Sequence, residues 1–170
     1  MKKENIWLII SIILVVFWMV LVFKLSGEIS EVSGKRSGSV IESIIMFFNK
    51  NISETKLQTL IEYLQPLVRK IAHFLLYMLG GFLIYNLINF ALKNFSRAKC
   101  LLISVLVGSF YAITDEIHQL FVPGRSGELR DVIIDSLGVI LGIFIYYLLF
   151  NIFSKRINGR NMSNYVKWTT

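Results

Sequence analysis

Four apolar segments, each of roughly 20 residues, constrain the fold of this chain more than any other feature. They are residues 6–23, 71–92, 101–122 and 132–153. At a rise of ~1.5 Å per residue, each segment is long enough to cross a bilayer core of ~30 Å. We therefore expect an all-α, polytopic membrane protein whose four transmembrane helices form one bundle.

The composition also favours membrane insertion. Hydrophobic residues make up 55% of the 170 residues and charged residues only 17%, whereas soluble domains contain about 25% charged residues. No small-x-small cleavage site follows residues 6–23, so we interpret this segment as a retained first helix. We assign residues 1–153 to one transmembrane domain and residues 154–170 to a basic cytoplasmic tail. The expected location is the cell membrane, as a multi-pass protein.

Basic residues predict the orientation of the helices. They lie between the second and third segments and after the fourth: Lys93, Arg97, Lys99, Lys155, Arg156, Arg160 and Lys167. Because positively charged loops stay in the cytoplasm, both termini are predicted to be cytoplasmic and the loops at 24–70 and 123–131 to lie outside. The role of basic residues in orienting the helices thus explains the net charge of +7. We therefore expect no nucleic-acid partner.

The long loop at residues 24–70 is polar, with one apolar pattern inside it. Leu57, Leu60, Ile61 and Leu64 recur at helical spacing, which favours a short amphipathic helix lying on the membrane. A solvated loop with one surface helix is an equally good interpretation. Pro66 is then expected to break or redirect the chain.

Ionisable residues gather near the predicted outer ends of the apolar segments. They are Arg69, Lys70 and His73 in one stretch, and Asp115, Glu116, His118, Arg125, Glu128, Arg130, Asp131 and Asp135 in another. A charge at mid-bilayer costs roughly 2.5 to 3.5 kcal/mol, so such residues are usually paired or functional. They form either a buried ion-pair network that fixes the bundle or a pocket whose surplus cations bind an anionic group.

Helical spacing indicates that these residues face one interior. Residues three or four apart lie on one helix face, which groups His73 with Tyr77 and Asp115 with His118. In the fourth segment the same spacing groups Asp131, Asp135, Gly138 and Gly142. Gly138 and Gly142 form a small-xxx-small pair, which we interpret as a close helix contact rather than a functional site.

The chain resembles the VanZ-like membrane protein family. The resemblance lies in residues 69–77 (RKIAHFLLY), 114–125 (TDEIHQLFVPGR) and 131–142 (DVIIDSLGVILG), and it covers roughly residues 23–146. It implies a small polytopic protein of the bacterial envelope, in a family named for a member linked to resistance against the glycopeptide antibiotic teicoplanin. The family's motif positions here are Arg69, Lys70, His73, Tyr77, Asp115, Glu116, His118, Gln119, Arg125, Asp131, Asp135, Gly138 and Gly142.

The first functional hypothesis is a binding protein. Its outer pocket would recognise an anionic lipid headgroup, a cell-wall lipid precursor or a lipoglycopeptide antibiotic, with a possible role in glycopeptide resistance. The expected ligand-binding residues are Arg69, Lys70, Tyr77, Gln119, Arg125, Asp131 and Asp135.

The second hypothesis is a membrane-embedded enzyme that acts on a lipid-linked substrate. His118 or His73 would act as acid or base, and Asp115 or Glu116 would orient it. In a metal-assisted variant, Asp115 and His118 are the favoured pair of ligands for a divalent ion such as zinc or manganese, and Glu116, His73 and Asp135 are further candidates. Otherwise no cofactor is expected.

Two further observations narrow the alternatives. The single cysteine, Cys100, excludes an internal disulfide and offers no metal-site spacing. A proton-linked transporter or channel ranks below the other two functions, because four helices are few and no inverted repeat is visible.

Overall fold

The structure, a computed structural model, describes the backbone of residues 3–166 and the side chains of residues 5–150 and 152. Its helices in this range are α1 (Lys3–Ser26), α2 (Ser30–Phe48), α3 (Glu54–Ala91), α4 (Arg97–Gln119) and α5 (Leu129–Val166). Four of them, α1, α3, α4 and α5, are long and apolar enough to cross a membrane. The predicted all-α fold with four spanning helices is thereby confirmed.

The region predicted as a long outer loop is mostly helical. Residues 30–48 form α2, and α3 begins at Glu54 and continues through Pro66 without ending there. The expectation of a chain break at Pro66 is therefore wrong. A proline leaves the carbonyl four residues earlier, that of Glu62, without its helical partner, and because Glu62 is exposed water can hydrate that carbonyl.

Helices α2 and the first half of α3 form a hairpin beyond the bundle. The 38 residues of α3 extend over ~57 Å at 1.5 Å per residue, about twice the thickness of a bilayer core. The Gln65 side chain donates a hydrogen bond of 2.6 Å to the Gly34 carbonyl oxygen, and Gly38 lies against Ile61. α2 thus packs antiparallel on the part of α3 that precedes the membrane segment.

Other helix ends also differ from the predicted ones. α4 runs from Arg97 to Gln119 instead of over 101–122, and α5 begins at Leu129 and continues past residue 153 to Val166. The side chains of Lys155, Arg156 and Arg160, and all of Lys167, lie outside the described residues.

Glycines allow α3, α4 and α5 to approach closely. α3 and α5 run parallel, because Gly138 lies against the Phe74 carbonyl and Gly142 against the Met78 carbonyl. On the facing side, Gly81 lies against the Val139 backbone. A methyl group at Gly138 would lie only 2.6 Å from the Phe74 oxygen, which confirms the interpretation of this glycine pair as a packing contact.

The helices bury a core and expose an apolar outer surface. The core is formed by Trp18, Val22, Tyr77, Ile84, Tyr85, Cys100, Ala112, Val139 and Ile143. Large apolar side chains such as Phe17, Leu106 and Phe110 are more than half exposed on the outside of the helices. Such a surface is suited to lipid rather than to water.

The two ends of the bundle differ in polarity. We call the part around Ser26, His73, Asp115 and Asp135 the polar end, because these four residues come from four helices and lie together there. The apolar half contains Ser11, Asn86, Ser104 and Ile143, and it leads to the opposite end, where the Arg97 guanidinium lies over the Phe150 ring.

Candidate functional site

Asp115 lies at the centre of the polar end. α4 places it on the same buried face as Ser104, Gly108 and Ala112, and only 3% of its surface is exposed. Its Oδ2 accepts a hydrogen bond of 2.8 Å from the Ser26 hydroxyl at the end of α1 and one of 3.4 Å from the Gln119 amide. Its Oδ1 is buried without a hydrogen-bond partner.

His73 and Asp135 face Asp115 from two other helices. The Nδ1 of His73 lies 3.8 Å from the Oδ2 of Asp135, and the Oδ1 of Asp135 is buried without a partner. One donor atom from each of His73, Asp115 and Asp135 can be chosen so that all three lie within 4.8 Å of one another. The Tyr77 hydroxyl, close to both carboxylates, also lacks a partner.

A cavity of about 180 Å³ opens beside this cluster. His73 and Asp135 of the cluster line it, and the other lining residues come from α3, the end of α4, the loop after α4 and the start of α5. Its lining is Pro66, Arg69, Lys70, His73, Glu116, Gln119, Gly124, Arg125, Ser126, Glu128, Asp131, Ile134 and Asp135. The cavity therefore brings acidic, basic and imidazole groups together at one helix end.

The Arg125 side chain links the end of α1 to α4 through hydrogen bonds to uncharged oxygen atoms. Its guanidinium donates hydrogen bonds to the carbonyls of Glu28 (2.9 Å) and Leu25 (3.2 Å) and to the Gln119 side chain (3.3 Å). Partial burial, and then the nearby Arg69 guanidinium, lower the pKa of Arg125 from its ordinary value. Arg125 nevertheless stays charged near neutral pH, because an arginine loses its proton only far above it.

The turn before Arg125 depends on a glycine. Gly124 has a φ of 75°, in the left-handed region that glycine adopts without steric penalty. The turn brings Arg125 back towards the end of α1, where its carbonyl partners lie. A side chain at position 124 would be strained and would also lie 2.9 Å from the Ser30 side chain.

The basic residues of the cavity are paired unequally. Lys70 forms ion pairs with Asp131 and, at 3.4 Å, with Glu128. Arg69 forms no ion pair within the part of the chain whose side chains are described, although it is close enough to Arg125 to affect it. The two arginines therefore present positive charge that no carboxylate of the described residues neutralises by direct contact.

An apolar groove of about 250 Å³ lies on the other side of the arginines. α1, α2 and α3 form it, and Leu25, Val40, Val68, Ala72 and Leu76 supply its apolar lining. The groove and the polar cavity share Arg69, His73 and Arg125. Polar and apolar binding surfaces are thus adjacent at the polar end.

Two residues predicted as acid–base candidates, His118 and Glu116, are not part of the cluster of His73, Asp115 and Asp135. The ring of His118 stacks on Phe23 of α1, with ring centroids 4.1 Å apart. Glu116 lines the cavity, but its Oε1 accepts a 2.6 Å hydrogen bond from the Glu128 backbone and so fixes the loop before α5.

Ser26 is a site residue that sequence reasoning missed. It is completely buried and donates to Asp115. The signal available in the sequence was a hydroxyl at the end of a mostly apolar helix, but spacing within one helix gives no information about its partner 89 residues away.

The fold and the site define a class: a polytopic α-helical membrane protein with a polar pocket at one end of its bundle. Residues 11–151 match the VanZ/LLP1 family, and the chain belongs to that family. No curated protein and no solved structure gives a significant match.

Proposed function

We propose that the polar end binds an anionic amphiphile of the bacterial cell membrane, with its phosphate or carboxylate at Arg69 and Arg125 and its alkyl chain in the adjoining groove. The observation that carries the proposal is the pair of neighbouring guanidinium groups without a carboxylate partner among the described residues. Guanidinium groups bind phosphate and carboxylate through two parallel hydrogen bonds.

The surroundings of the arginines support a lipid rather than a free anion. The groove next to them is lined by Leu25, Val68 and Leu76, so an alkyl chain has an apolar surface beside the charged headgroup. A membrane phospholipid, a lipid-linked cell-wall precursor and a lipoglycopeptide such as teicoplanin share this chemistry. The proposal includes a resistance role only if the last of these is a ligand.

Headgroup binding is tested with purified protein in nanodiscs. We expect phosphatidylglycerol to bind more tightly than phosphatidylcholine, and Arg69→Gln to weaken phosphatidylglycerol binding roughly tenfold, the equivalent of one charge-assisted hydrogen bond. Parallel binding measurements with a polyprenyl-phosphate and with teicoplanin distinguish the three candidate ligands.

Arg97→Gln is the matched control, because it removes the same charge at the opposite end of the bundle, where Arg97 lies over Phe150. Its binding should equal that of the unmodified protein. Equal binding of the two phospholipids, or an Arg69→Gln protein that binds normally, contradicts the proposal.

The proposal also places the polar end at the outer face. The basic loop 93–99 at the opposite end supports this orientation. In a Cys100→Ala background, a cysteine introduced at Asn51 should react with a membrane-impermeant maleimide in intact cells. Protection there, with labelling of a cysteine introduced at Asn94, contradicts the orientation.

A second candidate function is acid–base chemistry on the bound lipid. One observation favours it: His73 and Asp135 line the same cavity as the two arginines. Hydrolysis of a lipid phosphoester by the purified protein, lost in Asp135→Asn but retained in Asp131→Asn, would support turnover. A bound lipid that is recovered unchanged would leave only the binding function.

A further inference from the structure

Three side chains from three helices present oxygen and nitrogen donors to one point of the polar end. His73 comes from α3, Asp115 from α4 and Asp135 from α5, and their donor atoms lie within 4.8 Å of one another. Both aspartates are almost fully buried, with 3% and 2% of their surfaces exposed. His73 and Asp135 also line the cavity, so the cluster has a route to solvent.

The cluster retains buried atoms without partners. These are the Oδ1 of Asp115, the Oδ1 of Asp135 and the Tyr77 hydroxyl, which lies close to both carboxylates. Leaving a buried polar atom unbonded costs about 1 to 3 kcal/mol, and more when it is charged. The hydrogen bonds of Ser26 and Gln119 go to the other oxygen of Asp115, which orients Oδ1 without satisfying it.

The negative charge of the cluster is also not balanced by nearby cations in the described part of the chain. Two carboxylates face one imidazole, and no lysine or arginine among the described residues forms an ion pair with Asp115 or Asp135. Lys70 is paired with Asp131, and Arg125 donates to carbonyl and amide oxygens. A dication bound by two carboxylates and a neutral imidazole would bring the group to zero net charge.

We propose that His73, Asp115 and Asp135 bind one divalent transition-metal ion, zinc or manganese. Imidazole with two carboxylates is a donor set that suits these ions. Two donors of a tetrahedral zinc site lie ~3.4 Å apart, so small side-chain rotations would close the present spacing of up to 4.8 Å around the ion. Ser26 acts as a positioning residue that orients Asp115.

The metal site does not depend on the proposed lipid binding. Its ligands are one imidazole and two carboxylates, of which His73 and Asp135 line the cavity, whereas the proposed headgroup contacts are Arg69 and Arg125. Arg69→Gln should therefore keep the metal and lose the lipid preference. The two proposals can fail separately.

The test measures metal directly in the full-length protein. Protein purified in detergent without chelators should contain about one zinc or manganese ion per chain by elemental analysis. After chelator treatment, added Zn²⁺ or Mn²⁺ should restore the ion and raise the unfolding temperature. Asp115→Asn, Asp135→Asn and His73→Gln should each weaken the affinity for the ion at least ~tenfold.

His118→Gln and Glu31→Gln are the matched controls, because they remove an imidazole outside the proposed ligand set and an exposed carboxylate outside the cavity. Both should bind the ion as tightly as the unmodified protein. Equal losses in the controls and in the ligand variants contradict the assignment of the ligands.

Cobalt substitution makes the test independent of whether the variants fold. Co²⁺ bound to the unmodified protein at one imidazole and two carboxylates should give a visible absorption band that Zn²⁺ displaces. The absence of that band, together with no stoichiometric ion after purification or after addition of Zn²⁺ and Mn²⁺, overturns the proposal.

Discussion

The apolar half and the polar end of the bundle differ in how completely their buried polar groups are hydrogen-bonded. In the apolar half, the Asn86 amide donates to the Ser11 hydroxyl at 3.0 Å, and Ser104 donates to the Cys100 carbonyl at 2.7 Å. At the polar end, Asp115, Asp135, Tyr77 and His118 each keep one buried atom without a partner. Among the described side chains, the unpartnered atoms are concentrated at one end.

This difference indicates which end of the bundle serves packing and which end contains the functional site. Buried polar atoms in proteins are nearly always bonded, so each exception requires an explanation. The hydrogen-bonded side chains of the apolar half are those expected of a region that packs the bundle. The polar end keeps costly unsatisfied groups beside a cavity, which is expected of a site that completes its bonds with a ligand.

The largest expected effect comes from filling a glycine contact in the apolar half. Gly142→Ala would place a methyl group on the Met78 carbonyl, which helix backbones can relieve only by moving apart. We expect a loss of about 3 kcal/mol in the free energy of unfolding in detergent. Thermal unfolding, followed by tryptophan fluorescence, measures it.

Gly38→Ala is the control for this substitution. A methyl group at Gly38 would meet Ile61 at 3.4 Å, an ordinary van der Waals distance. Because alanine favours a helix over glycine by up to about 1 kcal/mol, this variant should be as stable as the unmodified protein or more stable. Equal stability of Gly142→Ala and Gly38→Ala would show that the close contact does not limit stability.

Two fully buried serines provide the second comparison. Ser26 donates to a carboxylate of another helix, whereas Ser104 donates to a carbonyl of its own helix. Ser26→Ala leaves Asp115 with less hydrogen bonding and should destabilise the protein by about 2 kcal/mol. Ser104→Ala should change the free energy of unfolding by less than ~0.5 kcal/mol, because the Cys100 carbonyl belongs to the helix hydrogen-bond ladder.

Chemical denaturation of both serine variants under identical detergent conditions checks this ranking. A Ser104→Ala protein that loses as much stability as Ser26→Ala would mean that the two ends respond alike to the loss of a hydroxyl. The difference in hydrogen bonding between the buried polar groups of the two ends would then have no effect on stability.

The four spanning helices were predictable because length and apolar composition alone determine them. α2 was not predicted as a helix, since its sequence contains Gly34, Gly38 and several serines, which have weak helix propensity. Tertiary contacts stabilise it instead, including the bond from Gln65 to the Gly34 carbonyl. A contact between residues 31 positions apart leaves no trace in local periodicity.

The polar end was predictable only in part, for a similar reason. The alternating direction of the spanning segments predicted that His73, Asp115 and Asp135 lie at the same end, and helical spacing predicted that they face one interior. The structure brings them together. Spacing also grouped His118 with Asp115, yet Phe23 of α1 covers His118. Residues three apart differ by ~60° around the helix axis, so the neighbouring helices decide which of them faces the interior.

The smallest expected effect separates two neighbouring tyrosines whose ring centroids are 6.2 Å apart. The Tyr111 hydroxyl donates a 2.6 Å hydrogen bond to the Met19 carbonyl, whereas the fully buried Tyr77 hydroxyl has no partner. In chelator-treated protein, Tyr111→Phe should lower the free energy of unfolding by about 1 kcal/mol, and Tyr77→Phe should raise it by a similar amount.

Opposite signs are the decisive result, because both substitutions remove one oxygen and leave the aromatic ring in place. A hydroxyl that is buried without a bond destabilises the fold, so its removal from Tyr77 is favourable unless a ligand uses it. If Zn²⁺ or Mn²⁺ binds near this hydroxyl, adding the ion should reduce or reverse the advantage of Tyr77→Phe and leave the Tyr111→Phe difference unchanged. Equal losses in both variants would mean that Tyr77 is as well bonded as Tyr111, and the distinction between the two ends would not hold at this position.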